Sequence, residues 1–135
     1  MLCAAVFFAA STELRAGRFP GADEAVRAVF PGAVAERESI LLSDAESAQV
    51  AERAGQDEPR ALVTRYVVRR DNAVVGYAYL DKHLVRTLPE IILVSVDADG
   101  ALQMIDVLAF QEPLEYLAPK SWLQQFTGRT VNDEI

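Results

Sequence analysis

Two stretches of the chain alternate their side chains with a period of two, and each folds back at a turn pair. That pattern constrains the fold more than anything else in the sequence. From Ala61, the run ALVTRYVVRR puts Leu62, Thr64, Tyr66 and Val68 on one side and Val63, Arg65 and Val67 on the other. Asp71-Asn72 follows as a turn pair, and AVVGYAYL returns as the partner strand. The second stretch, EIILVSVDADGALQMIDVLAF, turns at Asp99-Gly100. Its first arm, Ile91 to Val96, is nearly all apolar, as in a strand covered on both faces. Met104 to Phe110 is its partner. Gly76 inside a strand marks a bulge or a close approach by another group, with the bulge as the first reading.

Helices precede and follow these hairpins. Ala22 to Phe30 carries Ala25, Val26, Val29 and Phe30 at helical spacing, with Asp23 and Glu24 in the first turn and Pro31-Gly32 as the stop. Ala33 to Leu42 reads as extended. Ser43 with Glu46 three residues on is a capping-box pattern, opening a helix that runs to Ala54 and ends at Gly55. Glu112 to Pro119 is a proline-bounded loop or single turn. Lys120 to Phe126 is a short amphipathic helix with Trp122, Leu123 and Phe126 facing inward, and a polar tail, TGRTVNDEI, follows. Helix, strand, helix and then at least four hairpin-built strands predict an α+β domain. Its antiparallel sheet has short helices packed on one face.

Composition narrows the function classes. With 135 residues the chain holds one ordinary domain, over 22–135, preceded by an N-terminal segment, 1–21. A formal net charge of −7 argues against broad nucleic-acid binding, which needs a basic face. One cysteine, Cys3, excludes an internal disulfide. With His83 as the one histidine, cysteine-rich zinc and two-histidine metal motifs are excluded too, so no metal is expected. The apolar run Leu2 to Ala10 is far below the ~20 residues that span a bilayer. It has the length of a signal-peptide apolar region, with small residues at Ala9, Ala10 and Ser11, but no Lys or Arg precedes it. It reads equally as a targeting remnant, a shortened anchor or a short buried element.

Two clusters are candidates for chemistry. His83, Arg86 and Thr87 lie in LDKHLVRTLPE, which is too polar for a core strand and long for a tight turn. Loops held by rigid strands are where binding groups collect. The planar fork of Arg86 suits a phosphate or carboxylate. Glu112, Glu115 and Tyr116 form the second cluster, and two carboxylates three apart can do acid/base work or simply face solvent. The arginines Arg65, Arg69 and Arg70 read as a solvated, edge-protecting face. Trp122 beside Leu123 and Phe126 reads as core rather than as a stacking platform. No nucleophile elbow, P-loop or dinucleotide glycine motif is present, and no catalytic residue is assigned.

Four segments carry a family resemblance: DEAVRAVFPGA at 23–33, VVGYAYL at 74–80, IILVSVDADGALQMIDVL at 91–108 and FQEPLEYL at 110–117. In this order and spacing, over about four-fifths of the chain, they resemble the FMN-binding domain family. That family includes the flavin-carrying small subunits of sodium-translocating NADH:quinone oxidoreductase and of the related ion-translocating electron-transport complex. The resemblance implies FMN as cofactor, with His83, Arg86, Thr87, Glu112 and Tyr116 flanking the flavin. It also implies membrane redox subunits as partners and an extracytoplasmic or membrane-associated location in bacteria. The chain departs from the family in two places. DKHLVRTLPE at 81–90 stands where a glycine-rich segment is usual. The flavin-attaching Ser/Thr-Gly-Ala-Thr is absent, and Thr127-Gly128-Arg129-Thr130 is only an echo of it. The expectation is therefore non-covalent FMN in a C-terminally truncated domain. Alternatives are a flavin-free interaction domain that homo-oligomerises or binds a partner through an uncovered apolar surface, and a small hydrolase or lyase using His83 with Glu112 or Glu115.

Overall fold

The computed structural model describes residues 19–133, so the apolar run Leu2–Ala10 lies outside the described residues. Five antiparallel strands form one sheet in sequence order: β1 (Val34–Leu41), β2 (Leu62–Arg70), β3 (Ala73–Leu84), β4 (Pro89–Asp97) and β5 (Leu102–Phe110). Helix α1 (Ala22–Val29) precedes β1, α2 (Asp44–Ala54) joins β1 to β2, and α3 (Lys120–Gln124) follows a 3₁₀ turn at Leu114–Tyr116. This is the α+β architecture built from hairpins that the periodicity predicts. The β2–β3 turn places Asp71 and Asn72 at positive φ, as its two-residue connection requires.

Helix α1 forms because its acidic first turn meets the helix dipole and its apolar residues fall on one stripe. That stripe packs on one face of the sheet. Ala25, Val26 and Phe30 meet Tyr66, Val68, Ala78 and Leu93, with Leu80 and Leu108 at the margin. Burial, with a hydrogen bond to Asp23, pushes the Tyr66 phenol above its ordinary range and ties the helix to β2. Gly76 serves both readings offered for it. The β2–β3 register shifts between Val68 and Arg69 beside it, and the Phe30 ring fills the space where its side chain would stand. Ser95 is buried under the same helix, and its hydroxyl has no hydrogen-bond partner among the described residues.

Helix α2 is held at its start by the full capping box. Glu46 N–H donates to Ser43 Oγ at 3.3 Å and Ser43 N–H to Glu46 Oε2 at 2.8 Å. Gly55 closes it in the left-handed conformation. Edge strand β1 is nearly all exposed, and its carboxylates take up the arginines of β2. Arg65 Nε donates to Glu38 at 2.6 Å, Arg69 pairs with Glu36 at 3.4 Å, and Arg70 reaches the Pro31 carbonyl.

One segment differs from the sequence reading. The polar stretch DKHL is not loop: β3 runs through it to Leu84, and β4 begins at Pro89, leaving a tip of four residues. Pairing needs only backbone groups, so a hairpin arm that projects past the core can be polar on both sides. The apolar criterion measures burial, and burial stops before this arm does.

Candidate functional site

On the sheet face away from α1, strand alternation sets side chains in a graded series. Glu36 and Glu38 lie on β1, Arg65 and Val67 on β2, Tyr77 and Tyr79 on β3, and then come the aliphatic side chains of β4 and β5. Arg65 lies 4.9 Å over the Tyr77 ring and donates to the Tyr79 hydroxyl, so the charged side of the face grades into the aromatic one. Ile92, Val94 and Val96 with Ile105 and Val107 make an apolar floor.

The C-terminal segment turns this floor into a groove. After the 3₁₀ turn it runs back along β5 and adds a short pairing at the start of that strand. Gly128 N–H donates to the Leu102 carbonyl at 2.7 Å, and Leu102 N–H donates to the Arg129 carbonyl at 2.8 Å. Ala118, Trp122, Leu123 and Phe126 thereby stand as one wall, and a volume of about 530 Å³ lies between wall and floor. That is within the usual ligand-pocket range of about 300–1,000 Å³. Trp122 packs edge-on against Phe126 at 5.1 Å and remains 53% exposed. The expectation of an inward, core tryptophan is corrected here. A five-residue helix against the sheet margin buries Leu123 and Phe126 only partly and leaves the indole at the mouth of the groove.

His83 and Glu90 close one end of the groove. The imidazole is held from both sides, with Nδ1 2.8 Å from Asp81 Oδ2 and Nε2 2.9 Å from Glu90 Oε2. Arg60 braces this arrangement by donating to Asp81 at 2.9 Å and to the Lys82 carbonyl at 2.7 Å. Arg129, Thr130 and Asp133 close the other end. The backbone N–H and hydroxyl of Thr130 donate to the Asp133 carboxylate, holding it ionised below its usual range with help from nearby Arg129.

The other expected site residues gather elsewhere. Glu112 is buried, and its Oε1 accepts from Thr87 N–H at 2.7 Å, Leu88 N–H at 2.9 Å and Thr87 Oγ1 at 3.2 Å. These bonds, the backbone ones foremost, hold its carboxyl below the ordinary range. Arg86 stacks 4.5 Å over the Tyr116 ring. Arg86, Thr87, Glu112 and Tyr116 thus form one latch between the β3–β4 tip and the loop after β5, and His83 alone of the five lines the groove. The latch surrounds itself with Leu84, Leu88, Leu114 and Tyr116, all exposed. Trp122, read from the sequence as core rather than a stacking platform, and Thr130, read as an echo of the flavin-attachment motif, both line the groove. The only signal for Trp122 was its place on a very short helix, where burial is incomplete.

Among the described residues no three His, Cys, Asp or Glu side chains are arranged to hold a metal, and no helix is long and apolar enough to cross a membrane. No family model, curated protein or solved structure matches this chain.

Proposed function

We propose that the domain binds FMN without a covalent bond and serves as an electron-transfer module of a bacterial membrane redox system. The observation that carries this reading is the apolar groove between β4–β5 and the Trp122 wall. Its volume and lining suit a flat ring system, and Trp122 and Phe126 offer the aromatic contact such a ring prefers. The four segments that resemble FMN-binding domains add the choice of flavin over other flat ligands. When bound, the flavin supplies the one- and two-electron chemistry. The chain's own residues then orient it. Ile92, Val94 and Val107 exclude water from one ring face, Trp122 covers an edge, and the His83–Glu90 pair bounds one end. The latch at Arg86, Thr87, Glu112 and Tyr116 acts at one remove, by setting where the C-terminal wall starts.

Titrating FMN into the full chain while following flavin fluorescence and the emission of the single tryptophan tests the reading. Saturable quenching of both signals is expected, and in Trp122→Ala, followed by the flavin signal alone, binding should weaken about tenfold, since aromatic contacts contribute on the order of 1 kcal/mol beyond their area. An FMN signal that never saturates would sink it.

A second reading rests on a different observation, the exposed Leu84, Leu88, Leu114 and Tyr116 gathered at the latch. An apolar cluster of this kind suits a partner surface, either a second copy or a membrane redox subunit. It predicts self-association that Leu88→Lys with Leu114→Lys abolishes. A monomer at all concentrations, with no apolar-dye binding, counts against it.

A further inference from the structure

We infer that the groove recognises the ring of its ligand and makes no provision for a phosphate, so that it takes the neutral flavin nucleoside or the bare ring as readily as FMN. This rests on the flavin reading above and concerns what part of the molecule is read. The polar groups lining the groove are already engaged with one another. Both nitrogens of His83 face carboxylates, and the Glu90 oxygen is spent on that imidazole. The Thr130 hydroxyl donates to Asp133 and accepts from Asn132 N–H. The Asp133 carboxylate takes both Thr130 donors. Arg129 lies over the Phe126 ring at 5.8 Å and beside Asp133.

Each end of the groove therefore sets a carboxylate beside its nitrogen-bearing side chain. His83 stands with Glu90 at one end, and Arg129 with Asp133 at the other. A phosphate brought to the His83 end meets the carboxylates of Asp81 and Glu90, and at the other end the attraction of Arg129 is opposed by Asp133. Among the described residues neither end shows the run of converging backbone N–H groups that phosphate recognition uses, and the Arg129 guanidinium is already engaged with Phe126 and Asp133. What remains to hold a ligand is the aliphatic floor and the Trp122–Phe126 wall. Their attraction scales with apolar area and is blind to a charged tail that projects into solvent. A planar neutral ring system is therefore the ligand class this groove selects.

The test compares lumiflavin, riboflavin and FMN with the same full chain, each followed by quenching of Trp122 emission and by isothermal calorimetry. The three dissociation constants are expected to agree within about threefold. Raising salt from 50 to 500 mM should move the FMN value less than about twofold, because screening acts only on charge–charge attraction. Trp122→Ala, followed by calorimetry alone, should weaken all three ligands by the same factor. FMN binding ten or more times tighter than lumiflavin, or an advantage that salt removes, overturns this inference and leaves the flavin reading standing. Binding of none of the three overturns both.

Discussion

The Phe30 ring lies so close over Gly76 that no other residue fits there. A β-carbon built on Gly76 stands 2.5 Å from two ring carbons and 2.5 Å from the Val96 carbonyl oxygen. The ring is held by α1 and the carbonyl by the β3–β4 ladder, so neither neighbour is the loose end of a flexible chain. Gly76→Ala is expected to destabilise the domain by about 1–3 kcal/mol, the usual cost of overpacking. Urea unfolding measures it. Adding Phe30→Leu should recover only part, because the Val96 carbonyl stays in place. Full recovery would show that the ring alone sets the constraint.

Glu112 should behave as a latch whose strength depends on pH. Its carboxyl is held below the ordinary value of 4.5 by the N–H groups of Thr87 and Leu88. A carboxylate with a depressed folded value adds stability that is fully present above pH 4.5 and is lost as pH falls through the depressed value. Glu112→Gln should therefore lower the unfolding midpoint at pH 7, with the gap to wild type narrowing toward pH 3. Amide exchange at Thr87 and Leu88 should quicken at least about tenfold at neutral pH as local opening becomes easier. A gap that does not change with pH would show that the ionised carboxylate is not what holds the tip.

The orphan hydroxyl of Ser95 predicts a stabilising substitution. It is fully buried under α1 and has no hydrogen-bond partner among the described residues. Removing it in Ser95→Ala relieves a desolvated polar group and leaves almost no cavity. The expected gain is about 1 kcal/mol, read from the urea midpoint with an unchanged m-value. A loss of that size would mean the hydroxyl has a partner, such as an internal water.

The two ion pairs between β1 and β2 should differ in worth. Arg65 meets Glu38 at 2.6 Å, is about one-quarter exposed and also covers Tyr77. Arg69 meets Glu36 at 3.4 Å with both side chains well exposed. Arg65→Ala should cost about 1 kcal/mol, part of it from the lost aromatic contact. Arg69→Ala should stay within about 0.5 kcal/mol, as exposed pairs do. Thermal or urea unfolding of the two variants separates them. Equal costs would remove any role for the Tyr77 contact.

The candidate site was less legible than the fold. His83 was visible as the single histidine in a polar stretch, and it lines the groove. Arg86, Thr87, Glu112 and Tyr116 stand out in the sequence by their chemistry. They do come together, but around the tip of a hairpin, where Glu112 has its oxygen filled by the chain's own N–H groups. Residue type indicates what a side chain can bond to. It carries no information on whether a neighbour distant in sequence has already taken the bond.

By itself the sequence determined the local order of the molecule. Period-two runs, turn pairs, a capping box and a proline-glycine stop dictate which segments become strands and helices, because each depends on backbone conformation and neighbours a few residues away. Only the tertiary structure decided where polar groups are spent and where apolar surface is left open. The extension of β3 through DKHL, the exposure of Trp122 and the groove it walls follow from contacts between residues far apart in the chain. Those contacts set which surfaces water can reach, and no local pattern encodes them.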